Sequence, residues 1–307
     1  PFPLLAAFVA LSVPQFGLSY SPWNYWYALL MPVSITLIAA TVANADARLG
    51  NHTLLSSGVP LHLACALAAG MACGAYFAYA PWDASMGADA FVQFLGAMMP
   101  LMAGIVCGLD ADGEGEATGF SGLLSVPSRY RALAARLFAL WLMGAAALAL
   151  AMVVFVVPFV LAGRQALGPD ARALAALGLS LGSAPIYLIL YAIALRWGRN
   201  AAISAGAAGL MLAFFSLGGL AHGLMTGELT AAGANAFSYL PTSWAARLGS
   251  LPVELSIAAG PAGSAAAATR VASAIGSAVG LCVSVTLLLL GAMAAWISRF
   301  EPARRGE

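Results

Sequence analysis

The chain has 307 residues, of which 62% are hydrophobic and 8% charged, with a mean hydropathy of +0.90. Soluble globular domains carry about 25% charged residues to face water, so a soluble fold is excluded and a polytopic membrane protein is expected. The 13 basic residues, all arginine, against 12 acidic ones give a net charge of +1, which leaves no polyanion-binding footprint and argues against a nucleic-acid partner.

The lack of lysine also removes a Gly-x-x-x-x-Gly-Lys-Ser/Thr phosphate loop and a Schiff-base nucleophile. ATP hydrolysis by that route is therefore not expected on this chain.

A spanning helix takes about 20 mostly apolar residues. Breaks at charges and at Pro, Gly and Asp clusters predict eight spans, near 2–19, 24–44, 60–80, 91–109, 132–162, 173–195, 200–226 and 274–298. The run opening at Phe2 and Pro3 has no basic segment before it and is not read as a cleavable signal. The fifth span is long enough to tilt, or to break at Pro158. The expected fold is thus an all-α helical membrane bundle. An N-terminal helix pair with a first elbow (1–59) precedes a six-helix core (60–307).

Orientation follows from the arginines. With 46–59, 110–131, 196–199 and 299–307 in the cytoplasm, Arg48, Arg129, Arg131, Arg136, Arg196, Arg199, Arg299, Arg304 and Arg305 lie inside. Arg164, Arg172, Arg247 and Arg270 lie outside. This bias obeys the positive-inside rule and puts both ends of the chain in the cytoplasm. Trp23, Trp26, Trp82, Trp197 and Trp296 fall at predicted helix ends, where aromatic belts sit. No Asp, Glu or Arg falls near the middle of a span, which disfavours an ion-coupled transporter, since buried ionisable groups usually mark ion paths.

Two inter-span elbows share a pattern. The first runs from Met31-Pro32 through Asp46 and Arg48 to Leu54-Leu55-Ser-Ser-Gly-Val-Pro60. The second runs from Met99-Pro100 through Asp110, Asp112, Glu114 and Glu116 to Leu123-Leu124-Ser-Val-Pro127-Ser-Arg129. An acidic exit, a short amphipathic stretch with Phe120, Leu123 and Leu124, and a proline at the next helix suit docking of a soluble partner at the membrane surface.

Cys65, Cys73, Cys107 and Cys282 sit in apolar runs without a Cys-x-x-Cys or Cys/His cluster, so they read as packing residues, and no metal site is expected. His52 and His62 flank the first elbow without a ligand-spaced partner. The stretch 227–273, rich in Ala, Gly and Ser with Pro241, Pro252 and Pro261, reads as an external segment, either an outer gate or a flexible cover.

The second elbow, Glu114-Gly-Glu116-Ala-Thr-Gly119-Phe120-Ser-Gly-Leu123-Leu124-Ser-Val-Pro127-Ser-Arg129, resembles the cytoplasmic loop of type-2 ABC exporter permeases. Within them it is most similar to the lantibiotic-immunity (bacteriocin self-protection) permeases. Tyr76-Phe-Ala-Tyr79, Phe91 to Pro100, Leu240-Pro-Thr-Ser-Trp244 and Ile297-Ser-Arg-Phe300-Glu301 extend the likeness over roughly 60–307. Residues 1–59 resemble the opening of a sister permease, and the extra helix pair and Ala135, where a lysine is common, depart from the pattern.

The resemblance implies a multi-pass permease subunit in a bacterial plasma membrane that removes an amphiphilic peptide from the bilayer. ATP and Mg would sit on a separate ATPase subunit, no cofactor would sit on this chain, and a second permease copy or a sister permease would complete the transporter. It implies coupling to the ATPase through Asp46, Leu54, Leu55, Glu114, Glu116, Gly119, Phe120, Leu123, Leu124, Pro127 and Arg129. A substrate path over Tyr187, Met211, Phe214, Phe215 and His222 is expected, because an amphiphilic peptide is handled by apolar and aromatic surface.

Two other readings compete. One is a non-transporting scaffold or sensor whose elbows dock a signalling partner. The other is an intramembrane serine protease, since Gly178-Leu-Ser180-Leu-Gly182 fits Gly-x-Ser-x-Gly and His222 lies in a second span. Glycine and serine are also ordinary helix-packing residues in membranes.

Overall fold

The computed structural model describes residues 54–120, 123, 125–216, 222–261 and 263–299, and all that follows refers to these. The expected spans 2–19 and 24–44 and most of the first elbow, with Asp46, lie outside them. The chain divides into two units, Pro1–Leu61 and His62–Glu307; the second carries the fold described below.

The architecture is all-helical, with no strand among the described residues. The helices are α1 (Leu54–Tyr79), α2 (Ala84–Thr118), α3 (Arg129–Leu161), α4 (Pro169–Trp197), α5 (Arg199–Ser216), the short α6 (His222–Thr226), α7 (Trp244–Ala258) and α8 (Ala265–Ile297), with a 3₁₀ turn at Ala236–Tyr239. Five described helices are long and apolar enough to cross a membrane, those of α1, α2, α3, α4 and α8. The protein is therefore a helical membrane bundle. The expected seventh span, 200–226, is described in two pieces, α5 and α6.

Helix ends follow local chemistry. Asp83 caps α2 by accepting from the Ser85 and Met86 amides, both at 3.0 Å, and Ser128 and Ser264 cap α3 and α8. Of the tilt or break allowed for the fifth span, no break occurs at Pro158, and α3 runs on to Leu161.

The second elbow is also shorter than expected. α2 continues through Asp110, Asp112, Glu114 and Glu116 before Gly119 ends it in a left-handed turn. At 35 residues α2 is about 52 Å long, longer than a hydrocarbon core of about 30 Å requires.

Close helix contacts depend on small residues, which let backbones meet. A Cβ on Gly104 of α2 would lie 2.6 Å from the Ala202 carbonyl oxygen of α5, and one on Gly70 of α1 would lie 2.7 Å from that of Ala151 in α3. Between these seams Phe91 stacks on Phe155 with ring centroids 4.1 Å apart, and Phe77 and Phe159 meet Phe155 edgewise or tilted. Arg164, just past α3, ties the far end together by donating to the carbonyls of Phe77, Ala78, Ala80 and Trp82 at 2.8–3.3 Å.

The 227–273 segment is not a cover. Within it α7 is a core element packed against α2, α4 and α8, and its Trp244, Leu251, Ser250 and Glu254 are buried. The chain thus has a basic end, with the α2–α3 elbow and the α4–α5 junction, and an opposite end that holds α7.

Candidate functional site

At the basic end, Asp110 and Glu114 stand one turn apart on α2 and face Arg136 of α3 and Tyr191 of α4. Arg136 Nη2 donates to Glu114 Oε2 at 2.7 Å, its Nη1 lies 3.7 Å from Asp110 Oδ2, and the Tyr191 hydroxyl donates to Asp110 Oδ2 at 2.6 Å. Asp110, Glu114 and Tyr191 are buried. A neighbouring pair, Arg199 Nε with Asp112 at 3.7 Å, joins α5 to the same end. Four helices are thus joined just where the elbow begins, α3 and α5 to α2 by ion pairs and α4 by a hydroxyl–carboxylate hydrogen bond.

The elbow itself turns on two successive left-handed residues, Gly119 (φ 58°) and Phe120 (φ 65°). Glycine tolerates that region, whereas a bulky residue is strained there. Phe120 is half-buried, with its ring over Gly115.

The expected coupling residues separate into surface and interior. Glu116, Gly119 and Pro127 are exposed, and Arg129 opens α3 half-buried. Glu114 is buried in the ion pair with Arg136, and Leu123 is 1% exposed. The apolar docking area expected of Leu123, and the docking charge expected of Glu114, are therefore spent inside the fold. The side chains of Leu124, Leu54 and Leu55 lie outside the described residues.

The expected substrate path does not form one surface either. Tyr187 is buried, its hydroxyl against Gly144 and without a hydrogen-bond partner among the described residues. Phe214 packs beside Ala97, Ala213 and Ala246. Met211 and Phe215 face outward. The side chain of His222 lies outside the described residues.

The Gly178-x-Ser180-x-Gly182 match is a packing seam. A Cβ on Gly178 would run into the Leu248 carbonyl of α7, and one on Gly182 into that of Trp244. Ser180 sits within the continuous helix α4 and donates its hydroxyl to Ala176 O at 2.7 Å, while Ser180 O accepts from Trp141 Nε1 at 2.8 Å. The strand-to-helix turn that exposes a nucleophilic serine is absent at this position.

A second polar cluster, which sequence reading missed, lies at the opposite end. Asp89 and Gln93 of α2 meet Ser250 and Glu254 of α7, all buried. The Ser250 hydroxyl donates to Asp89 Oδ1, and Gln93 Nε2 lies 2.8 Å from Asp89 Oδ2, 2.9 Å from Thr230 Oγ1 and 3.1 Å from Ser250 Oγ. Glu254 accepts from the Ala231 and Ala232 amides at 2.6 and 2.9 Å, and Arg247 Nε donates to Ala231 O at 3.0 Å. Burial pushes the Glu254 carboxyl up to about 7, against the amides and Arg247, which favour its charged form.

The signal for this cluster was present as spacing. Asp89/Gln93 and Ser250/Glu254 are each i, i+4 pairs, with Arg247 three residues before Ser250, and such pairs share a helix face.

No family model, curated protein or solved structure matches this chain.

Proposed function

We propose that this chain is the membrane-embedded permease subunit of an ATP-driven exporter of the type-2 ABC class, working with a separately encoded ATPase to clear a membrane-active, lantibiotic-like peptide from a bacterial plasma membrane. The observation that carries the reading is the elbow between α2 and α3. An acidic helix end anchored to α3 and α4 through Arg136 and Tyr191, a strained Gly119-Phe120 turn and an exposed Pro127 rim lie at the arginine-rich end of the bundle. Such a turn transmits a push at the surface into three helices at once.

The order of elements supports the same reading. α1 to α5 and α8 make a six-helix core with a folded insertion, α6 to α7, between the fifth and sixth. The basic end then faces the cytoplasm by the positive-inside rule. Because Tyr187 is interior, the peptide is taken up laterally along the outward face of α5, at Met211 and Phe215.

The test is coexpression with an ABC ATPase subunit from the same host. The chain is expected to copurify with it and to lower the amount of a pore-forming cationic peptide held in the cell membrane. Equal peptide retention with an intact and a hydrolysis-dead ATPase defeats the export reading. A kinase in place of an ATPase in the pull-down favours a docking scaffold.

A further inference from the structure

The cluster between α2 and α7 holds two carboxyls and, among the described residues, no cation bound to either. Asp89 is 2% and Glu254 0% exposed. Asp89 is held by a neutral hydroxyl and a neutral amide, those of Ser250 and Gln93. The guanidinium nearby, that of Arg247, gives its Nε to the Ala231 carbonyl. Two buried like charges on facing helices repel strongly at low effective dielectric, and a single proton removes that repulsion.

What the cluster joins is as informative as its charge. Gln93 bridges α2 to Thr230 and to Ser250 of α7, and Glu254 fastens the Ala231 and Ala232 amides to the same helix. Gly96 of α2 lies directly against the backbone of Ala245 and Ala246, so the two helices have no side-chain cushion between them. Any repulsion across this seam acts on backbone contacts.

We infer that Asp89, Gln93, Ser250 and Glu254 form a proton-operated latch: a proton on either carboxyl relieves the repulsion between Asp89 and Glu254 and keeps α7 and the 230–232 turn clamped on α2, and its loss loosens them. The proton passes to bulk water, and no other bond is made or broken. The groups facing the cluster are few among the described residues. α2 supplies Asp89, and α7 supplies Arg247 and Glu254. The 3₁₀ turn supplies Tyr239, which acts on Arg247. The α4 face against α7 is Gly178, Leu179 and Gly182; that of α8 is Val271, Ala274, Ala278 and the thiol of Cys282. The latch is a property of this end of the bundle and stands independently of the exporter reading.

The experiment is deuterium exchange of the full chain in lipid nanodiscs, following peptides from 226–258 at pH 5.5 and pH 8.5 after correction for intrinsic exchange. The wild type is expected to lose about tenfold protection in α7 and the 230–232 turn at the higher pH. Asp89→Asn and Glu254→Gln each replace one carboxyl by a neutral amide, and flattening of the pH response in either carries the latch. Asp170→Asn, which neutralises an exposed carboxyl at the start of α4, is expected to keep the wild-type response. A wild type equally protected at both pH values, an unchanged response in both carboxamide variants, or a flat response in Asp170→Asn overturns it.

Discussion

Arg136 and Glu114, twenty-two residues apart, meet as a 2.7 Å ion pair between α3 and α2. Arg136 is also the cation nearest the buried Asp110. Removing it takes the guanidinium away from two buried carboxylates, and breaking a buried pair from one side typically costs about 3–5 kcal/mol. Arg136 keeps some solvent contact, so Arg136→Met is expected near about 3 kcal/mol. Glu114→Gln keeps an acceptor for the guanidinium and is expected to cost less. Thermal unfolding of the purified chain in one detergent orders the two variants, and a lower melting temperature for Glu114→Gln than for Arg136→Met contradicts the arrangement.

The Gly178 and Gly182 seam separates packing from catalysis. Pro252 has no N–H to offer the Leu248 carbonyl one turn before it, and that carbonyl is the atom Gly178 faces. A methyl at Gly178 meets backbone, which cannot swing aside. Gly178→Ala is therefore expected to destabilise by about 1–3 kcal/mol, as overpacking does, and to lower the melting temperature by several degrees. Ser180→Ala removes only a bond to Ala176 on the same helix and is expected to change stability by less than about 0.5 kcal/mol. The reverse order in a melting experiment excludes the seam.

The contrast between these two motifs shows what the sequence carried. Apolar runs and their flanking arginines located α1 to α4 and α8, because burial in lipid demands long uninterrupted hydrophobicity whatever the neighbours are. α7 was missed for the opposite reason. It is short, contains Pro252, and is buried in protein, so neither length nor composition distinguishes it from a loop. The elbow was legible as a motif, yet Leu123 and Glu114 were assigned to the surface because amphipathic spacing shows that a residue has a buried face without saying whether the cover is a partner or the chain itself. Its cover here is internal, with Arg136 satisfying Glu114.

Stability is expected to fall as pH rises through the Glu254 transition. α7 is not among the spanning helices, and its Glu254 is raised from an ordinary 4.5 to about 7 by burial. A group that binds its proton more tightly in the folded state adds stability that is complete below about pH 4.5 and is lost as pH passes 7. The melting temperature of the wild type is expected to drop by a few degrees between pH 5 and pH 8. Glu254→Gln is expected to remove that portion of the slope, and an unchanged slope in this variant assigns the pH dependence to another group.

The elbow makes the sharpest demand on the exporter reading, because the interior and exposed residues of one short segment must behave differently. Leu123 is 1% exposed, so Leu123→Asp places a carboxylate in the core. It is expected to lower stability by more than about 3 kcal/mol and to reduce the amount of folded chain, whatever partner is present. Glu116, Pro127 and Arg131 lie on the surface around it. Glu116→Arg and Arg131→Glu leave the Glu114–Arg136 pair untouched and are expected to shift the melting temperature little, since surface substitutions stay within about 0.5 kcal/mol. Yet each reverses a charge on the rim that would meet an ATPase, so recovery of the ATPase with the affinity-purified chain is expected to fall severalfold, most strongly in the double reversal. If the double variant folds normally and retains its ATPase in full, the α2–α3 elbow is not the coupling surface, and the partner must engage the chain through residues outside this turn.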